Sequence, residues 1–304
     1  MTIFDCMIIG AGPAGLSASL VLGRARRKIA VLDDGTNRNR VTQESHGFIT
    51  RDGIKPQKFK ELGLDELKKY PSVSIINTTV TKIIKEPTSE RFKVKTKDGH
   101  EYLTEKIILA TGVQEVFPAI PAIKTYYGKS LFSCPYCDGW ELRDTPLVII
   151  AEKEEHALHM AKLVYNWSKD LVVVTNGNEM STVGFEQLQQ RDIKVMTEPI
   201  LKLHGKDGYL QQVEFESEKI IARTGGFVIP SFYRSNKFVE QIGCELTELG
   251  ATVTDGSGRT TVKNIYIAGE AEQAGPSSLL IAAADGSKAA FSVNVDLTME
   301  RFYR

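Results

Sequence analysis

Ile3-Phe4-Asp5-Cys6-Met7-Ile8-Ile9 runs directly into Gly10-Ala11-Gly12-Pro13-Ala14-Gly15 and then into an apolar, alanine-rich segment from Leu16 to Gly23. This is the pattern of a strand, a tight turn and a helix. The next apolar run, Lys28-Ile29-Ala30-Val31-Leu32, stops at Asp33-Asp34-Gly35 and closes a βαβ unit with an acid at the end of its second strand. In such a unit Gly10 permits the sharp turn, Gly12 lets a pyrophosphate approach bare backbone, and Gly15 allows close helix packing. The helix start offers unpaired N–H groups and a positive dipole end to the phosphates. Asp33, or failing it Asp34, would accept from a ribose hydroxyl.

Outward from this unit, residues 72–110 read as short strands, Val73 to Ile76, Thr79 to Ile84 and Phe92 to Thr96, with a turn at Lys97-Asp98-Gly99-His100. They end at Lys106-Ile107-Ile108-Leu109-Ala110-Thr111-Gly112. A second βαβ-like unit follows Pro146: strand Leu147 to Ile150, helix about Glu154 to Trp167, strand Leu171 to Thr175 and helix near Val183 to Gln190, then a β-rich stretch to Val228. The chain returns with strand Asn264 to Ala268, Gly269-Glu270, and an alanine-rich helix from about Ser278 to Phe291. The expected fold is α/β: two nucleotide-binding-like three-layer domains, the second inserted into the first. The first domain is expected to span residues 1–114 and 229–304, and the inserted domain residues 115–228.

A chain of 304 residues is consistent with two domains. Its 42% hydrophobic and 25% charged content, without biased stretches, excludes a disordered or collagen-like chain. Thirty-eight basic residues balance thirty-eight acidic ones, and no basic block exceeds Arg24, Arg26, Arg27 and Lys28, so nucleic acid and membrane surfaces are not expected partners. No apolar run reaches the roughly 18 to 20 residues of a membrane helix, and a cytoplasmic location is the default expectation. Two of the four cysteines form Cys134-Pro135-Tyr136-Cys137, a spacing that suggests redox or metal chemistry in a reducing compartment. Cys6 and Cys244 show no second pair of the kind a structural zinc site needs, so no metal is expected. In dithiol exchange the attacker is a thiolate and the leaving thiol needs a proton, for which Asp138, adjoining Cys137, is the candidate. A local helix start would favour thiolate at one of the sulfurs.

Four motifs together resemble the low-molecular-weight thioredoxin reductase family of flavoproteins across essentially the whole chain. They are Gly10 to Gly15, Ile108 to Gly112, Tyr127 to Gly139 with its CxxC, and Ile265 to Glu270 before the alanine-rich helix. The resemblance implies FAD, with the pyrophosphate on the first glycines, Thr111 and Gly112 closing over the cofactor, and Gly269-Glu270 reaching its ribityl and phosphate region. Pro13, Ala14, Asn39, Val80 and Ala110 complete the cofactor set on the same basis. It implies further that Cys137 faces the flavin, that Cys134 is the interchange thiol and Asp138 the general acid, and that the protein is a homodimer. Glu270 stands where the family more often has Asp. The Arg38-Asn39, His46-Gly47 and Asp52-Gly53 spacing is similar to a branch that includes dithiol oxidases of small disulfide natural products. His46 would then sit near the flavin, unless it only caps or packs its loop.

Members that use NADPH carry a second GxGxxA turn and a basic cluster in the inserted domain. Here that turn reads Ala151-Glu152-Lys153-Glu154-Glu155-His156, and Thr175-Asn176-Gly177-Asn178-Glu179-Met180 supplies no Lys or Arg. NADPH is therefore a doubtful cofactor. The expected activity is FAD-dependent exchange of electrons with a thioredoxin-like protein or small disulfide substrate, with ferredoxin or flavodoxin as donor or oxygen as acceptor. An NADPH-dependent enzyme with an atypical site and a non-turnover redox sensor are the rivals.

Overall fold

The computed structural model describes residues 3–87 and 89–303. It divides into two compact units, the first made of Met1–Arg40, Pro56–Gln114 and Phe232–Arg304, the second of Val41–Lys55 and Glu115–Ser231. The segment Val41–Lys55 thus groups with the second unit, outside the 115–228 span expected for it. One reason is close packing: a Cβ on Gly128 would lie 2.5 Å from the carbonyl oxygen of Val41.

The first unit is built on a seven-stranded sheet. Val73–Asn77, Ile29–Asp33, Ile3–Ile9 and Glu101–Leu109 lie side by side in parallel. Glu101–Leu109 then serves two neighbours. Its Glu101–Thr104 end pairs antiparallel with Phe92–Thr96, while Ile107 to Leu109 pair parallel with Ile265–Ile267. The strand Ile3–Ile9 is apolar on both faces because both are covered: Cys6 and Ile8 pack toward Leu16, Leu22 and Val293, and Met7 and Ile9 toward Val94, Ile107 and Phe238. Pro13 starts the fingerprint helix Pro13–Arg24, where its missing N–H costs nothing. The C-terminal helix, Leu279–Phe302, crosses it so closely that a Cβ on Gly286 would sit 2.0 Å from the Ala14 carbonyl oxygen. This helix runs eleven residues beyond the Phe291 expected from composition, since nothing after Phe291 breaks it and Val293 and Leu297 are fully buried.

The second unit has a five-stranded parallel sheet in the order Lys194–Met196, Leu171–Val174, Leu147–Ile150, Gly225–Val228 and Leu131–Phe132. A three-stranded antiparallel sheet, Ile200–Lys206, Tyr209–Phe215 and Ile220–Ala222, follows it in the chain. The helices Glu154–Val164 and Thr182–Gln189 complete the expected βαβ pattern. No described helix is long and apolar enough to cross a membrane.

Candidate functional site

The first unit gathers nearly all of the residues expected to hold a dinucleotide. Gly10 has φ +104°, and a Cβ there would meet the Ala110 carbonyl oxygen at 2.4 Å. Gly15 is as constrained, its Cβ position being 1.8 Å from the Gly10 carbonyl oxygen. Gly12 differs: it is the N-cap of the helix, has no side chain to cap it, and has nothing within 4 Å of its Cβ position. The helix start therefore faces open space with its first amides uncapped, a cradle that fits a pyrophosphate and that a side chain would fill.

Around this cradle the chain fixes its own polar groups. Asp33 Oδ1 accepts from the Ala11 amide at 2.8 Å, and Oδ2 from the Gly35 amide at 3.0 Å and from the Lys60 ammonium. Asp34 accepts from the Thr36 amide and hydroxyl instead, so of the two acids it is Asp33 that touches the fingerprint turn. Asn39 accepts from the Asn37 side chain. Val80 is buried opposite Thr96, and the Ala110 amide donates to Ile9. Thr111 leads into Gly112, with φ +62°; Gly269 adopts φ +68°, ψ −150°, a conformation essentially reserved for glycine. Glu270 accepts from Arg38 at 2.6 and 3.2 Å and from the Ser277 amide at 2.9 Å. The tie between Glu270 and Arg38 spans 232 positions and has no local sequence signal. Because Gly12 has φ −72° and open surroundings, Gly12→Val should leave the cofactor-free fold intact while filling the cradle. Purified Gly12→Val is expected to melt like the cofactor-free wild type and to lack flavin absorbance; stoichiometric flavin would refute the assignment of this turn.

The second unit carries the cysteines. Cys134 and Cys137 form a disulfide with Cα atoms 5.3 Å apart. Cys134 is the N-cap of the one-turn helix Pro135–Asp138, and its carbonyl accepts from the Cys137 and Asp138 amides at 3.1 and 3.2 Å. Gly139 ends the turn where only glycine fits, its Cβ position lying 2.9 Å from the Trp167 ring. Tyr136 stands edge-on to Trp167, and the Arg143 guanidinium lies 4.0 Å from the centre of the Trp140 ring. Tyr136 and Trp140 are nevertheless 74% and 65% exposed, an aromatic rim beside the disulfide.

Asp138 is buried, and its carboxyl is pushed up to about 7, first by loss of water and second by the negative charge of Glu141, with no hydrogen bond to offset them. A carboxyl in that range can hold a proton at neutral pH and release it to a departing thiolate. The folded chain then keeps a proton that the unfolded chain releases near pH 4, so stability is lost as pH rises from about 4 to 7. Asp138→Asn should remove this loss, being more stable than wild type by about 2–4 kcal/mol at pH 8 and similar to it at pH 4. Unfolding measured at both pH values checks this, and a difference independent of pH would contradict a buried neutral acid.

His46 lies in the second unit. Its ring nitrogens are 3.6–3.7 Å from the carboxylates of Glu44, Asp52 and Glu141. Cys134, Cys137 and Asp138 thus share a unit with His46, whose contact with Glu141 links it to their segment, while the other expected site residues lie in the first unit. Glu141, Trp140, Arg38 and Lys60 were not among the expected site residues. Among the described residues no group of three His, Cys, Asp or Glu side chains could hold a metal.

The turn after Leu147–Ile150 is closed by its own side chains. Glu154 accepts from the Ser181 amide and hydroxyl at 2.9 and 2.6 Å, at the start of the helix Thr182–Gln189. These hydrogen bonds hold the Glu154 carboxyl below the usual range. Glu152 accepts from Asn176 at 3.0 Å, so the loops following both strands are tied together.

An open dinucleotide cradle on one α/β unit and a CxxC disulfide followed by a buried carboxyl on another define a disulfide oxidoreductase of the flavoprotein class. The chain belongs to the pyridine nucleotide-disulphide oxidoreductase family, whose sequence profile matches residues 4–286, and within it is thioredoxin reductase-like and FAD-dependent. It is 60% identical to a Bacillus anthracis protein assigned as thioredoxin reductase TrxB, whose crystal structure superposes with a TM-score of 0.96 over 98% of this chain and 99% of that one. The crystal structure of HlmI matches at 32% identity and a TM-score of 0.92, over 99% of this chain and 94% of HlmI. A protein of Arthroderma benhamiae assigned as a thioredoxin reductase is 30% identical over 329 residues, covering 98% of this chain and 81% of the relative.

Proposed function

We propose that the protein passes electrons between FAD bound in the first unit, the Cys134–Cys137 pair and an external disulfide, with an electron source other than NADPH. The observation that carries the exchange reading is the Cys134–Cys137 disulfide on a one-turn helix that ends in buried Asp138, whose carboxyl is pushed up to about 7 by loss of water. FAD, when bound, would supply or take up the electron pair. In the reducing direction two electrons open the disulfide. Cys134 thiolate then attacks the substrate disulfide, forming a mixed disulfide, and the leaving thiolate takes the proton of Asp138. Cys137 thiolate attacks Cys134 Sγ, which restores the disulfide and releases the second substrate sulfur as a thiolate that takes a proton from solvent. The reverse sequence oxidises a dithiol.

A thioredoxin-like protein or a small disulfide is the substrate class, and the exposed rim of Tyr136 and Trp140 offers either an apolar contact. The side chains of Glu152 and Glu154, bound to Asn176 and Ser181, support a donor such as ferredoxin or flavodoxin, or oxygen as acceptor for the reverse flow. The CxxC pair suits the cytoplasm, where thiols are kept reducible, and the working unit is a homodimer. Anaerobic, photoreduced enzyme mixed with one equivalent of oxidised thioredoxin or of a small aromatic disulfide should recover its yellow colour. A flavin that stays bleached with both would refute the exchange reading.

A further inference from the structure

His46 stands where three carboxylates meet, and one of the three reaches it from outside its own loop. The loop is closed on itself: the Ser45 amide donates to the Ile54 carbonyl at 2.8 Å, the Gly53 amide to the Ser45 carbonyl at 3.0 Å, and the Gly47 amide to Asp52 at 2.8 Å. Glu44 and Asp52 belong to that loop, whereas Glu141 comes from the segment after the cysteine turn. The imidazole is 16% exposed and the Glu141 side chain 41%, so the ring is enclosed by an acid that itself reaches water. Gly139 keeps helical angles, φ −69° and ψ −30°, and the chain stays coiled past Asp138. Glu141 follows Asp138 by three positions, the spacing at which side chains of one turn are neighbours. Its negative charge bears on the buried Asp138 carboxyl, whose other titratable neighbours on the turn are the two cysteine sulfurs. Arg143, the next cation along, is engaged elsewhere: it donates to the Trp140 carbonyl at 2.6 Å and lies over the Trp140 ring. Glu141 thus faces two ways, toward the acid of the exchange and toward an imidazole on another segment.

We propose that Glu141 is a positioning residue for the proton that Asp138 gives to the departing thiolate, and that His46 controls it by holding the Glu141 carboxylate; the proposal rests on the exchange reading above. A carboxylate beside Asp138 penalises its charged form, so Asp138 keeps its proton to higher pH and still has it to donate near neutrality. A cation at position 46 that draws the Glu141 carboxylate to itself weakens this support, and a neutral residue there releases the carboxylate toward Asp138. Glu44 and Asp52 compete for the same ring, and so for the grip that His46 has on Glu141. For neighbouring side chains of one turn in a half-exposed setting, loss of the Glu141 charge amounts to a shift of about half to one pH unit at Asp138.

The pH profile of exchange between FAD-loaded, photoreduced enzyme and a small aromatic disulfide, followed by the return of flavin absorbance, tests this. Where the rate falls on the alkaline side, near pH 7 in the wild type, Asp138 is losing its proton. Glu141→Gln should move that midpoint down by about half to one pH unit, and Glu141→Asp, which keeps the charge, should restore most of the shift. The midpoint of His46→Arg should lie below that of His46→Gln, and the gap between the two should vanish when Glu141 is also replaced by Gln. The same midpoints can be read without any exchange, from the pH dependence of the stability difference between each variant and its Asp138→Asn counterpart. That second measurement also serves a variant that sheds its flavin. An unmoved midpoint in Glu141→Gln, or a gap at position 46 that persists without Glu141, would overturn the proposal. Stability midpoints that move as stated in an enzyme that exchanges with no disulfide would overturn the exchange reading and leave the control of Asp138 by Glu141 and His46 standing.

Discussion

Replacing Cys137 by serine is expected to reduce disulfide turnover to background, at least about a thousandfold, while leaving FAD bound. The reason is division of labour within the pair. On the proposed roles Cys134, which heads the one-turn helix, would exchange with substrate, whereas Cys137 would exchange electrons with the cofactor and could not be bypassed. All of the proposed cofactor residues except His46 lie in the other unit, so flavin content should be untouched. Cys134→Ser should also lose turnover but leave a thiolate at Cys137, and a long-wavelength charge-transfer absorbance should then appear. Absorption spectra of the two variants decide the roles: the band in Cys137→Ser and its absence from Cys134→Ser would reverse them.

Millimolar NADPH is expected to reduce the flavin slowly or not at all under anaerobic conditions, whereas reduced ferredoxin, reduced flavodoxin or dithionite should bleach it. At the turn where a pyrophosphate would need bare backbone, Glu154 is bonded to Ser181 and Glu152 to Asn176. A phosphate there would have to break those bonds and approach two carboxylates. If half of the favourable phosphate interactions are missing, a loss of about 3 kcal/mol weakens binding roughly a hundredfold. Glycine at Ala151, Lys153 and His156 should restore reduction only in part, because no Lys or Arg follows Thr175 through Met180. Complete bleaching within seconds by micromolar NADPH would instead establish the NADPH-dependent reading.

The sequence displayed what is local. Gly10 to Gly15 between an apolar strand and an alanine-rich helix could be read because turn, close approach and helix start all fall within one short window. The same holds for the CxxC turn and for the strands Leu147–Ile150 and Leu171–Val174, which are continuous buried runs. The helix Pro56–Leu67 was not legible, since it buries only Pro56 and Leu67 and carries Gly63 in its interior, so it shows little periodicity. Long-range partners were hidden for a different reason. Glu270 with Arg38, Asp33 with Lys60, and His46 with Glu141 are pairs whose members only the fold brings together. The likeness of the spacing around it to the dithiol-oxidase branch implies His46 near the flavin, with capping or packing of its own loop as the alternative. The three carboxylates around it belong to its own loop and to the segment after Asp138, and no pattern of residue types announces such a ring.

Asp33 is held from three directions, by the Ala11 and Gly35 amides and by the Lys60 ammonium. A carboxylate so tethered has lost its rotational freedom before any cofactor arrives. The entropy of ordering it is charged to folding, and an incoming dinucleotide meets an acid already facing the turn. Cofactor exchange should therefore resemble insertion into a rigid socket more than the closing of a hand. Differences in affinity among variants of this region would then be written in how slowly the cofactor leaves.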